Sequence, residues 1–211
     1  MSRAGVSGIV LAGGRSTRFG EDKLAVEVDG RPLLHRAVGV VAGVVDEVVI
    51  VVGAGRPEPS LPADLRVPVV VAHDAVAGLG PLAGLAAGLA VASHPHALLV
   101  GGDQPSLQPD VLRALLDGLA GDSATTPVDV MALEDGDRLW PFPVALRVAT
   151  VRPAVEAALA GSDLRLFTLF KQLRVARVPA SLWRALDPAG ASLFDVDRRG
   201  DLPPPVDLPP P

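Results

Sequence analysis

Four short apolar runs, "VSGIVLAG", "EVVIVVGAG", "VPVVVAHD" and "HALLVGGD", constrain this chain more than any other feature. They are too short for helices and too continuous for a sheet with one wet face. They therefore predict strands buried on both sides. Between them stand proline-opened segments with apolar residues three and four apart. Pro32 precedes Leu34, Ala37, Val38, Val41 and Val45; Pro81 precedes Leu82, Leu85, Ala86, Leu89 and Ala90; Pro109 precedes Leu112, Leu115, Leu116 and Leu119. A proline tolerated in the first turn, followed by that spacing, predicts helices with one inward face. "LAVEVDG" alternates and then turns, which adds a strand before the first helix. Strand and helix in alternation imply right-handed crossovers and a mostly parallel sheet covered on both faces.

Past Gly121 the regularity loosens. "ATTPVDVMAL" and "RLWPFPVAL" flank the turn "EDGD" and predict antiparallel strands at one end of the sheet. Helices follow from Pro153 and over Leu166, Leu169, Phe170 and Leu173, and "LRVARVPA" and "ASLFDVD" are the last strand candidates. The expectation is one α/β domain over residues 1–202, a Rossmann-like three-layer sandwich with a small antiparallel part. The proline-rich tail at 203–211 cannot continue a helix or sheet and is expected to be disordered. Aromatic residues make up only 3% of the chain, so its core must be aliphatic.

Charge and composition exclude several functions. A net charge of −5 argues against a nucleic-acid surface, which needs a positive stripe. With no cysteine, disulfides, thiolate metal sites and cysteine nucleophiles are excluded. The apolar runs are broken by Asp46 and Glu47 and by "HPH" at 94–96, short of the ~20 residues that span a bilayer. Arg15 and Arg18 arrive too early for a signal peptide's apolar region. A cytoplasmic protein with no membrane or nucleic-acid partner is expected.

The first run leads into "GGRSTRFGEDK". The backbone N–H groups of Gly13 and Gly14 can approach an anion closely, and Arg15, Arg18 and Lys23 add positive charge, a combination suited to a polyphosphate. Spacing excludes two better-known phosphate loops. Lys23 follows Asp22 rather than a glycine, as a Walker loop would require, and Arg15 breaks the dinucleotide pattern. The second glycine cluster, Gly78, Gly80 and Gly84, does not follow a strand directly.

A magnesium polyphosphate also needs oxygen ligands across the crevice. Asp103 leaves the fourth strand at the same sheet edge as Gly13 and is the candidate metal ligand. Asp74 also follows a strand. Asp195 and Asp197, two apart on an expected strand, point to one face, where they join Asp103 or are surface charge. His73 is packed or solvated on this reading, and His94 and His96 flank a proline in an expected exposed loop.

"LAGGRSTRFGEDK" resembles the L-A-G-G-x-S-x-R-x-G-x-D-K signature of the MobA-like nucleotidyltransferases. The likeness continues in order through "GRPLLHRAV", His73–Asp74, "GLGPLAGL" and "GGDQP". The resemblance implies a fold of the nucleotide-diphospho-sugar transferase type. It also implies an Mg²⁺-dependent enzyme that transfers GMP from GTP to the phosphate of molybdopterin and releases pyrophosphate. Leu11, Ala12, Gly13 and Gly14 would touch the nucleotide, with Asp74, Gly80, Pro81 and Leu82 completing its pocket. Arg18 and Lys23 would neutralise the triphosphate, Asp103 would bind Mg²⁺, and Asp197 is a second candidate ligand. Molybdenum cofactor biosynthesis proteins or target molybdoenzymes would be its protein partners.

The chain also departs from the family pattern. Gly53 replaces a frequent asparagine, Trp140 a histidine or glutamine, and the family's "NVNTPEDL" becomes "DVDRRGDL", with Asp195 and Asp197 at the asparagine positions. Three alternatives stay open: a CTP-dependent enzyme, a different acceptor such as a sugar phosphate or phosphorylated organic acid, and a nucleotide sensor without turnover.

Overall fold

A computed structural model describes residues 4–13, 22–75, 79–121, 127–161 and 163–202. The expectations for Gly14, Arg15, Arg18, Gly78 and the tail at 203–211 lie outside them. The elements are β1 (Val6–Ala12), β2 (Glu27–Val28), β3 (Arg31–Pro32), α1 (Leu33–Ala42), β4 (Glu47–Val52), β5 (Val69–His73), α2 (Pro81–Val91) and β6 (His96–Gly101). They continue with α3 (Pro109–Ala120), β7 (Val130–Asp135), β8 (Arg138–Arg147), α4 (Val148–Leu159), α5 (Leu166–Phe170), β9 (Val175–Val178) and α6 (Ala180–Leu186).

The four apolar runs form the parallel half of a seven-stranded sheet ordered β5-β4-β1-β6-β8-β7-β9. Strand β5, expected to be buried on both sides, is an edge strand, with Val70 and His73 exposed and only Ala72 buried. Every residue of β4 and of β6 is buried, as continuous apolar runs require. Alternating side chains of β1 and β4 divide the core. Val10, Val48 and Ile50 pack with α1 and α3 on one face, whereas Ile9, Val49 and Val51 pack with α2 and α4 on the other. Helix α2 lies especially close to the sheet: a Cβ on Gly88 would stand 2.6 Å from Ile9 Cγ2. No helix among the described residues is long and apolar enough to cross a membrane.

Strand β8 pairs antiparallel with both β6 and β7, and β9 runs parallel to β7. Thus β8 alone among the described strands of this sheet runs against the rest. Its pairing with β6 stops at Leu99↔Val144, so its first half extends past the carboxyl end of β6.

Several local expectations change. "LAVEVDG" is not one strand but a 3₁₀ turn, Lys23–Ala25, followed by the small β2–β3 ribbon; Asp22 caps the turn by accepting from Leu24 N–H. Helix α4 begins at Val148 and contains Pro153, because Val148, Val151 and Val155 all bury against the sheet. Ala90 is exposed, its expected inward place taken by the small residues Ala83, Gly84 and Gly88. His96 is buried rather than exposed, because it opens β6 and pairs in the sheet with Arg147.

Candidate active site

At the carboxyl edge of the parallel strands lies a cavity of about 500 Å³. Leu11, Gly13, Val52 and Asp74 reach it from β1, β4 and β5 or the residues just after them. Gly80, Pro81 and Gly84 contribute the start of α2, and Arg138, Trp140, Pro141 and Phe142 contribute the overshooting half of β8. Gly101, Asp103 and Gln104 enter from the end of β6, with Leu193 and Asp195 from late in the chain. Gly80 has φ +77°, which lets the backbone turn sharply into α2 at the cavity wall. A second hollow continues past Gly80, Pro81, Pro141 and Phe142 toward α5.

The charged centre is compact. Lys23 Nζ donates to Asp103 Oδ2 at 2.6 Å and to the Val196 carbonyl at 3.1 Å, and it stands 3.7 Å from Asp197 Oδ1. Asp103, Asp195 and Asp197 each present a carboxylate oxygen, and these oxygens lie within 4.8 Å of one another. Loss of solvent around the Asp195 carboxyl, and then the Asp103 and Asp197 charges, hold its pKa above the ordinary value. Three hard oxygen donors converging in this way could hold a divalent cation such as Mg²⁺, which is bound through one or two carboxylates together with water and phosphate oxygens.

Asp195 and Asp197 do not arrive on a strand, contrary to the sequence expectation for "ASLFDVD". That segment is a 3₁₀ turn, Ala191–Leu193, followed by irregular backbone. Polar groups hold it in place of a sheet ladder. Asp187 accepts from the N–H groups of Ala191 and Ser192 at 2.9 and 2.7 Å. Buried Gln104 accepts from Gly101 N–H at 2.8 Å and donates to the Ser192 carbonyl at 3.0 Å. Gln108 N–H donates to Ser192 Oγ, and Val196 N–H to the Asp103 carbonyl. Val196 is fully buried in a small cluster with Val28 and Leu33, which leaves Asp195 and Asp197 on the exposed side. The sequence alternation was real, but hydrogen bonds across the chain fix it.

Of the residues singled out from sequence, Leu11, Gly13, Asp74, Gly80, Pro81 and Asp103 line the cavity. Lys23 joins them through Asp103. Ala12 and Leu82 do not line it. Strand alternation turns Ala12 toward the α1 side of the core, and Leu82 is buried in the cluster between α2 and the sheet. His73 stands at the surface 3.8 Å from Glu58. Leu193 and the Arg138, Pro141 and Phe142 part of the β8 wall were not anticipated, while Gln104 and Trp140 were noted only as members of family motifs. The overshoot that builds this wall is a matter of strand register, which local pattern does not reveal.

The chain is similar to known proteins along most of its length. Residues 8–177 match the MobA-like NTP transferase domain. The chain is 31% identical to the probable molybdenum cofactor guanylyltransferase of Pelotomaculum thermopropionicum, over 93% of this chain and 89% of that protein. It is 29% identical to the molybdenum cofactor guanylyltransferase of Desulfosudis oleivorans, over 93% and 92%. Among solved structures, molybdopterin-guanine dinucleotide biosynthesis protein A from Archaeoglobus fulgidus superposes with a TM-score of 0.72 at 20% identity, covering 93% of this chain and 94% of that one.

Proposed function

The chain belongs to the MobA-like NTP transferase family, and from that premise we propose that it transfers GMP from GTP to the phosphate of molybdopterin. The observation that carries this reading is the Lys23–Asp103 pair with Asp195 and Asp197 beside it, at the edge where Gly13 ends β1. Attack on an α-phosphorus needs positioning and charge neutralisation rather than a protein nucleophile. Among the described residues that line the cavity none is a cysteine, serine or histidine.

Asp103, with Asp195 and Asp197 beside it, would hold Mg²⁺; bound there, the ion supplies charge neutralisation for the triphosphate and its leaving pyrophosphate. Lys23 serves the same end with a fixed ammonium, held by Asp103 and the Val196 carbonyl. The amide of Gly13 and the turn at Gly80–Pro81 give backbone close access to the nucleotide, and Asp74 borders the same space. Trp140, Pro141, Phe142 and Leu193 form an apolar wall that limits water at the reacting phosphate. The relatives named as guanylyltransferases support GTP and molybdopterin as the substrates.

The test is to incubate the protein with each NTP, Mg²⁺ and molybdopterin and to measure pyrophosphate. Release with GTP that depends on molybdopterin is the expected result. Release only with CTP, or only with another phosphorylated acceptor, would replace the substrate assignment; nucleotide binding without release would replace the enzyme by a sensor.

A further inference from the structure

The β8 wall carries a guanidinium that makes no ion pair among the described residues. Arg174, Arg177 and Arg184, on or beside the neighbouring strands, are each ion-paired, with Asp129, Glu134 and Asp135 respectively. Arg138 has acids next to it in its own hairpin, yet among the described residues it makes no ion pair. Instead its guanidinium lies over the Trp140 ring, 3.7 Å from the centroid, on residues that both line the main cavity. Trp140 Nε1 is enclosed with no hydrogen-bond partner among the described residues. A planar fork of donors held against an indole face is pre-organised for a planar or tetrahedral oxyanion.

Sheet order decides which anion. Asp103 follows β6, with β1 on one side of that strand and β8 on the other. Lys23 lies in the connection after β1, whereas Arg138 opens β8. Lys23 is thus tied to Asp103, whereas Arg138 reaches the same cavity from the β8 wall. The two cations are separate, which suits one to each of two phosphorylated reactants. We infer that Arg138, held on Trp140, is the receptor for the terminal phosphomonoester of the acceptor, whereas Lys23 serves the nucleotide. This rests on the nucleotidyl-transfer reading for the identity of the acceptor, but not for the presence of the anion site.

The experiment uses the full chain, labelled with ¹⁵N, with inorganic phosphate as the probe. The Trp140 indole N–H resonance, identified by its loss in Trp140→Phe, is followed during the titration. It is followed with and without Mg²⁺ and a GTP analogue that cannot be cleaved between its α and β phosphates. A saturable shift is expected in the wild type, weakened about tenfold in Arg138→Gln and less in Arg138→Lys, with the analogue's Kd unchanged in both. Arg138 is exposed at the end of a hairpin, so neither variant disturbs the core. No saturable shift in the wild type, an unchanged phosphate Kd in Arg138→Gln, or weakened binding of the analogue instead would each overturn the assignment. Failure of the guanylyltransferase reading shows separately, as absence of molybdopterin-dependent pyrophosphate release by the wild type.

Discussion

The two edges of one sheet treat carboxylates in opposite ways. At the amino edge Glu47 is buried and accepts from Ser7 Oγ at 2.5 Å, Ser93 N–H at 2.7 Å and Ser93 Oγ at 2.7 Å. Burial pushes its pKa up, but these donors outweigh burial and hold the carboxyl below its ordinary value. Asp129, also buried at that edge, is gripped by Arg174. At the carboxyl edge Asp103, Asp195 and Asp197 converge, and among the described residues Lys23 is the cation within 4 Å of any of them. A carboxylate supplied with donors is part of the scaffold; three carboxylates with one ammonium have capacity left for a ligand.

The largest effect should come from the unsaturated edge. Asp103→Asn is expected to reduce turnover by about 10²-fold or more, with little change in Tm. Steady-state pyrophosphate release and a thermal melt check both halves. A variant that melts early would move Asp103 into the scaffold class with Glu47.

Next is the polar latch that brings Asp195 and Asp197 to Asp103. Gln104→Leu leaves the Gly101 N–H and the Ser192 carbonyl without their partner, at a cost of about 1–3 kcal/mol. For a chain of this size that lowers Tm by roughly 2–4 °C per kcal/mol. Turnover should fall roughly tenfold at the same time, because the carboxylates lose their fixed positions. A lower Tm with unchanged turnover would show that the latch is scaffold only.

The saturated edge should affect acid stability and leave catalysis alone. Glu47 has a folded pKa below its ordinary 4.5. The stability it contributes is therefore complete above about pH 4.5 and is lost as pH falls through the folded value. Glu47→Gln should flatten that limb of the stability profile, measured by urea unfolding at successive pH values, with turnover at neutral pH unchanged. Burial first, and then the Arg147 charge, push His96 below its ordinary 6.5. Its protonation in the unfolded chain lowers stability as pH falls below about 6.5, and His96→Gln should remove that earlier slope.

This contrast also explains what could be read from the sequence. The parallel half was legible because each strand is a continuous apolar run and each of its helices follows a proline, signals that reside in adjacent residues. Asp103 was legible for the same reason, since the end of a buried strand fixes its edge. The approach of Asp195 and Asp197 depends on Gln104, Asp187 and Ser192, side chains that look like ordinary loop polarity until the fold brings them together. The β8 wall depends on pairing that stops at Leu99↔Val144, a register set by both strands at once. Local pattern thus located the edge that carries the candidate site, and long-range bonding completed it.

The most direct test of the central claim follows the α-phosphate itself. GTP labelled at the α-phosphorus is incubated with Mg²⁺, molybdopterin and either wild type, Glu47→Gln or Asp103→Asn. Label should enter the molybdopterin product at similar rates with wild type and Glu47→Gln, and about 10²-fold more slowly or not at all with Asp103→Asn. Equal transfer by Asp103→Asn, or loss of transfer in Glu47→Gln with the fold intact, would contradict the account.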